Sequence, residues 1–310
     1  MTAVRQGGFT LVELVIVIAI SGALSILVMQ FITAPIDVFV DQSRRARLVD
    51  SAQTVTQRLA YDVRMAVPNS IRVGCGGACI EMMRAVTGGR YRRSPPGDLL
   101  SFIPGEMDTR FEALGNLNHV ADIVTSTDPD GCADGTASCL VVYNTGFSGT
   151  DLWRGDNAAT VNAVNPGPPI TLEFDNSRFS TGQTAFPAES PGQRFFVTDT
   201  AVSFICDPTQ GTVRRYWGYS RRASHADVDS HAELTALDNP AEHALMAESV
   251  AACQFQYSPG TPTRNAVLSL RLSVAESGES VTLMEQVSAV SYTHLRAHET
   301  TCCISYAVFC

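Results

Sequence analysis

The run from Gly8 to Ala34 constrains this chain more than any other stretch. It carries a single charge, the carboxylate of Glu13, and the only basic residue ahead of it is Arg5. At about 1.5 Å of rise per residue, a helix of this length crosses the hydrocarbon of a bilayer. A carboxylate inside lipid costs about 2.5–3.5 kcal/mol even on the lenient insertion scale, so such a group usually has a partner. A plain anchor leaves Glu13 unexplained. A secretory signal peptide cut near Ser21-Gly22-Ala23 fits no better, because the apolar run continues through Leu24, Ile26, Leu27, Val28, Phe31 and Ile32.

A short leader ending in Gly8, then Phe9, then Glu13 four residues later, then an unbroken apolar helix, resembles the type IV prepilin signal. The resemblance implies that prepilin peptidase cuts between Gly8 and Phe9 and N-methylates the new amine of Phe9. Residues 1–8 are then a leader, and 9–34 a helix that is kept. Glu13 meets the N-terminal ammonium of a neighbouring subunit, since a buried carboxylate is tolerable when paired and costly when its partner is removed. The implied partners are the peptidase, other major and minor pilins and the inner-membrane assembly platform. The implied location is a single pass of the inner membrane with the head in the periplasm, then an extracellular pilus. The arginines pull the other way: Arg44, Arg45 and Arg47 follow the span and Arg5 alone precedes it, which by charge bias favours a cytoplasmic head.

Acidic residues outnumber basic ones, 31 to 22, for a formal net charge of −9. That balance argues against nucleic acid as the main partner. There is no Lys, which excludes a Walker-type phosphate loop and Schiff-base chemistry. Of the nine Cys, six lie in the body, as Cys75/Cys79, Cys132/Cys139 and Cys206/Cys253. An even set in a chain that enters a membrane points to disulfides in an oxidising compartment, with pairing by proximity one choice among several.

Past Pro35, apolar residues recur at helical spacing at Leu48, Ala52, Val55, Leu59 and Val63, with Asp50, Gln53, Gln57, Arg58 and Asp62 as a polar back. This predicts an amphipathic helix over 35–67, stopped at Pro68-Asn69. From Ser70 the pattern turns to short strands. Leu268, Leu270, Leu272 and Val274 alternate with Val267, Ser269, Arg271 and Ser273, and Gly278 marks a hairpin. Further strands are expected at 99–103, 120–124, 140–143 and 170–174. Residues 145–192 read as mostly loop, and 232–252 as short helices broken at Asn239-Pro240. The expected class is α+β: a long N-terminal helix packed on a β-rich antiparallel head over 68–290.

That layout resembles the larger minor pilins and pseudopilins. Arg44-Arg45-Ala46, Tyr61-Asp62-Val63-Arg64, Pro68-Asn69-Ser70-Ile71-Arg72-Val73, Arg214-Arg215-Tyr216-Trp217-Gly218-Tyr219 and Ser277-Gly278-Glu279-Ser280-Val281 are similar to minor pilins of the mannose-sensitive haemagglutinin (MSHA) pilus. This implies a subunit that primes assembly or sits near the tip, with a role in adhesion. A type II secretion pseudopilin and a DNA-uptake minor pilin share the same features. Residues 291–310, with Cys302, Cys303 and Cys310, resemble a read-through scar and are read as a non-native tail.

Other chemistry is sparse. Asp128, Asp130 and Asp134 have the density of a calcium loop, but Cys132 sits where an EF-hand places Asp or Asn, so a polar turn is the better reading. His225, Asp227, Asp229, His231 and His243 follow no metal-binding helix spacing. The basic and aromatic alternation from Arg214 to Arg222 suits stacking on single strands, and suits an ordinary strand as well. The three residues between Cys75 and Cys79 are one too many for a thioredoxin-type pair. No G-x-S-x-G is present, and no motif argues for an enzyme.

Overall fold

Helix α1 (Leu11–Arg64) runs for 54 residues and continues through Pro35, so neither a stop nor a second helix occurs there. The computed structural model describes residues 10–103, 105–106, 108–177, 179, 185–260 and 265–289, with the side chains of 30–37 excepted. The chain divides into two units, Met1–Val49 and Asp50–Cys310. In the first, the side chains from Leu11 to Met29 are exposed, and this stretch is long and apolar enough to cross a membrane. Arg44 and Asp41 pair further along at 3.1 Å.

In the second unit, α1 buries Ala52, Val55, Leu59, Ala60 and Val63 and exposes Gln53, Thr54, Gln57 and Tyr61. Each fully buried Leu or Val contributes about 1.5–3 kcal/mol. Asp62 departs from the expected polar back: it is buried, and it takes a two-pronged ion pair from Arg215. The helix ends at Arg64, short of the expected Pro68. Past it, the Val67 N–H donates to the Met83 carbonyl (2.9 Å) and the Ala85 N–H to the Met65 carbonyl (2.7 Å), so the backbone has already joined a sheet.

Twelve strands follow among the described residues. They are β1 (Arg72–Gly74), β2 (Cys79–Tyr91), β3 (Arg110–Leu114), β4 (Cys139–Val142), β5 (Ala158–Asn165), β6 (Thr171–Phe174), β7 (Arg194–Asp207), β8 (Thr212–Tyr219), β9 (Glu242–Ala247), β10 (Val250–Ser258), β11 (Ala266–Glu276) and β12 (Glu279–Ala289). Two short helices, α2 (Gly131–Asp134) and α3 (His231–Thr235), sit in the connections. The first nine strands form one sheet in the order β1-β2-β3-β6-β5-β4-β7-β8-β9. An extra pairing of β2 with β7 closes six of them into a ring.

The two long strands make that closure possible. Phe195–Thr198 of β7 pairs with β4, while Ala201–Asp207 pairs with β8. Register shifts between Met83 and Thr87 bend β2 at the same level, as bulges do where a sheet curls. All six ring strands feed one core: Tyr91, Phe111, Leu140, Val161, Phe174 and Phe195 are buried together. Phe111 stacks edge-on against Phe195 with centroids 5.1 Å apart.

β10, β11 and β12 form a separate sheet. The alternation read along β11 holds: Leu268, Leu270, Leu272 and Val274 are buried, and their neighbours are not. The β11–β12 turn places Ser277 and Gly278 at φ of 51° and 87°, which a Gly at the second position accommodates. The Cys206–Cys253 bridge ties β7 to β10; Cys75–Cys79 and Cys132–Cys139 close short loops.

Several expected elements differ. Residues 99–103 are irregular and Val120–Asp122 form a 3₁₀ turn, not strands. The stretch expected as mostly loop contains β5 beside β6, the strand expected at 170–174, and the region expected as helices beyond α3 pairs as β9. The proposed tail, residues 291–310, lies outside the described residues.

The helix-to-sheet ion pair gives a test. Asp62→Ala strands the Arg215 guanidinium in a dry site and is expected to cost about 3–5 kcal/mol. Asp62→Ala combined with Arg215→Met should recover much of that in urea denaturation followed by tryptophan fluorescence. A double variant as unstable as the single one would show that the two charges are not coupled.

Candidate assembly site and buried ionic cluster

Two of the three residues expected to carry function, Gly8 and Phe9, lie outside the described residues. Glu13 is described. It occupies the third position of α1, and its backbone N–H donates to Thr10 Oγ1 at 3.3 Å. Leu14 N–H donates to the Thr10 carbonyl at 3.2 Å. Thr10 is therefore the N-cap, and Thr10-x-x-Glu13 is the pattern of a capping box. A carboxylate in the first turn also complements the positive end of the helix dipole. The signal is a local one in the sequence, Thr10 three positions ahead of Glu13. The neighbouring side chains Leu11, Val12, Leu14 and Val15 are exposed, so the carboxylate sits on an apolar surface that no other described part of the chain covers.

The other candidates resolve differently. The Asp128–Asp134 carboxylates organise a turn. Asp128 Oδ1 accepts from the Asp130 N–H at 2.9 Å, and α2 follows, fastened by Cys132–Cys139. Among the described residues, no group of three or more His, Cys, Asp or Glu side chains is placed to hold an ion. The Arg214–Arg222 strand spends much of its chemistry internally. Arg215 is committed to Asp62, Tyr216 Oη meets His231 Nδ1 at 2.9 Å, and Tyr219 is wholly buried. The histidines separate: His225 packs against β1 and β2, while His231 and His243 lie together beside Tyr216.

Sequence reading missed a buried ionic cluster around Glu81 of β2. Glu81 has no exposure. Arg72 pairs with it at 2.6 Å, and Tyr219 Oη donates to its other oxygen at 2.9 Å. Ser203 Oγ shares the Tyr219 hydroxyl at 2.5 Å. Arg72 also donates to the carbonyls of Arg222 (2.8 Å) and Ala223 (2.9 Å), and its guanidinium lies 3.9 Å from the Trp153 ring centroid. Trp153 Nε1 in turn donates to the Ser70 carbonyl at 2.9 Å. Arg72 thus pins the β8–α3 connection onto β1 and β2. His225 completes the cluster, with Nε2 4.0 Å from Glu81. A Cβ on Gly74 would lie 2.4 Å from His225 Nδ1, so glycine is required for that approach. The partners lie 9 to 151 residues apart, which is why no local pattern announced them.

Burial pushes the Glu81 carboxyl up to about 7, against the pull of Arg72. Burial, helped by Arg72, pushes His225 down to about 4. The signs oppose. From its ordinary 4.5 up to about 7, folded Glu81 holds a proton that the unfolded chain has released, so its contribution is lost as pH rises. From about 4 up to 6.5, folded His225 lacks a proton that the unfolded chain holds, so its contribution grows as pH rises.

A family model, the prokaryotic N-terminal methylation motif, matches residues 4–29. No curated protein and no solved structure matches the chain.

Glu81→Gln keeps the shape and an acceptor for Tyr219 but removes the titration. Wild type should lose stability relative to Glu81→Gln by on the order of 3 kcal/mol between pH 4.5 and 7, read from denaturant midpoints across that range. A constant difference would show that Glu81 does not titrate there.

With the methylation motif matched over residues 4–29 and a membrane-length apolar helix, Leu11–Met29, inside that match, the chain carries the prepilin-type signal of type IV pilin-like proteins, the mark of a prepilin peptidase substrate associated with the membrane.

Proposed function

We propose that this chain is a non-enzymatic minor pilin of an MSHA-type pilus, similar to the minor pilin MshO of that system. It is cut between Gly8 and Phe9, methylated on Phe9, and held in the inner membrane by 9–34 with its head in the periplasm. From there it is extracted by the assembly platform into an extracellular pilus. In the filament it primes assembly or sits near the tip, with other major and minor pilins as neighbours. The observation that carries this reading is Glu13, a carboxylate in the first turn of an exposed apolar helix and within the matched methylation motif.

An apolar surface of this kind is stable in lipid or among like helices, and in either medium the carboxylate needs a positive partner. The freed ammonium of a neighbouring Phe9 supplies one. Because the chain retains Glu13, it has a subunit above it; a subunit at the extreme tip would have no amine to receive. The three disulfides support a head that matures in an oxidising space.

Glu13→Ala should leave leader cleavage intact and reduce the amount of this chain in sheared pili severalfold, as read by immunoblot of the pilus and membrane fractions. Wild-type incorporation in that variant would refute the pairing role. Gly8→Leu should block cleavage, and mature-sized protein from it would remove the processing step.

A further inference from the structure

His231 and His243 sit on successive elements, α3 and β9, and the fold brings their rings together. His243 lies on β9, directly across from Tyr216 on β8. His231 opens α3, whose position is set by the Ser230–Glu233 capping box and by the buried Leu234. The two imidazoles meet edge to face with ring centroids 5.1 Å apart. Tyr216, itself fully buried, orients both: its hydroxyl is 2.9 Å from His231 Nδ1, and its ring lies against His243 at 5.7 Å and 31°.

Both histidines are exposed, and neither has an ion-pair partner among the described residues, in contrast to His119 and His225. Burial, His243 and Arg214 hold His231 below its ordinary value. A metal–nitrogen bond of about 2.0–2.1 Å with tetrahedral angles sets two imidazole centroids about 5 Å apart. A hydrogen bond to the second ring nitrogen, which fixes the tautomer, is the usual support of a ligating histidine.

We propose that His231 and His243 form a two-imidazole site for a divalent transition-metal ion of the Zn²⁺ type, with solvent completing the coordination. Tyr216 is its positioning residue. When the ion is bound, His231 Nδ1–H donates to the Tyr216 oxygen, leaving Nε2 to ligate. The Arg214 guanidinium works against the ion, and only two protein ligands are present. The site is therefore an exchangeable one at the head surface, not a closed structural centre.

The test is calorimetric titration of metal-free, detergent-solubilised full-length protein with Zn²⁺ at pH 7.5. One equivalent is expected to disappear in His231→Gln/His243→Gln and to persist in His119→Gln. Tyr216→Phe, which keeps the ring, should retain that equivalent with affinity weaker by about tenfold or more. Equal stoichiometry in wild type and the double variant, or no Zn²⁺ uptake by wild type, would overturn the site. Unchanged affinity in Tyr216→Phe would overturn the role given to the tyrosine. These outcomes are independent of whether the chain enters a pilus.

Discussion

One continuous helix has to satisfy two media. From Leu11 to Met29 it shows nothing but apolar surface around its circumference, apart from Glu13 and a few small residues. From Ala52 it is an ordinary amphipathic helix, apolar toward the head and polar outward. Each half is unsuitable in the other's environment: the first would aggregate in water, and the second would strand Asp62 and its arginines in lipid. The helix backbone satisfies its own hydrogen bonds in both settings, which allows one element to run through both regions.

Within the head, a recurrent device is a guanidinium held by a carboxylate, joined in two cases by backbone carbonyls or an aromatic face. Arg215 with Asp62 fastens α1 to β8, and Trp217 lies under the same guanidinium at 4.7 Å. Arg72 with Glu81 fastens β1, β2 and the connection after β8. Arg84 with Asp199 joins β2 to β7 at the bend where the ring closes. A chain with no Lys builds these contacts from a rigid planar fork that keeps its charge when dried. Buried pairs of this kind hold register more than they raise stability, because desolvation offsets much of the attraction.

The parts of the fold legible in sequence were those set by local periodicity. The helix, the alternation of β11 and the turn at Ser277-Gly278 follow from spacing within a few residues. What escaped was set at a distance. β5, Ala158–Asn165, has buried side chains on both faces at its start, so its small and polar residues show no alternation to read. β9 looked helical because Ala, Glu and Leu favour helix, and pairing with β8 overrode that preference. Ring closure depends on β7 changing partners midway, which no window of sequence records. Asp62 looked like a solvent residue because Arg58, four positions back, makes an ordinary helix-surface pair with it, while its buried partner Arg215 lies 153 positions away. The signal expected to use Gly8, Phe9 and Glu13 is of the other kind: it is linear, and the methylation motif that matches residues 4–29 is legible within a few positions along the chain.

A pilus subunit requires that linear signal to be used. Intact-mass and N-terminal peptide analysis of the protein purified from its own membrane tests it directly. The prediction is a chain that begins at Phe9 with one methyl on its amine, carries the apolar helix, and shows the mass of the three body disulfides. A chain that begins at Met1, or one cut within the span so that Glu13 is gone, would contradict it.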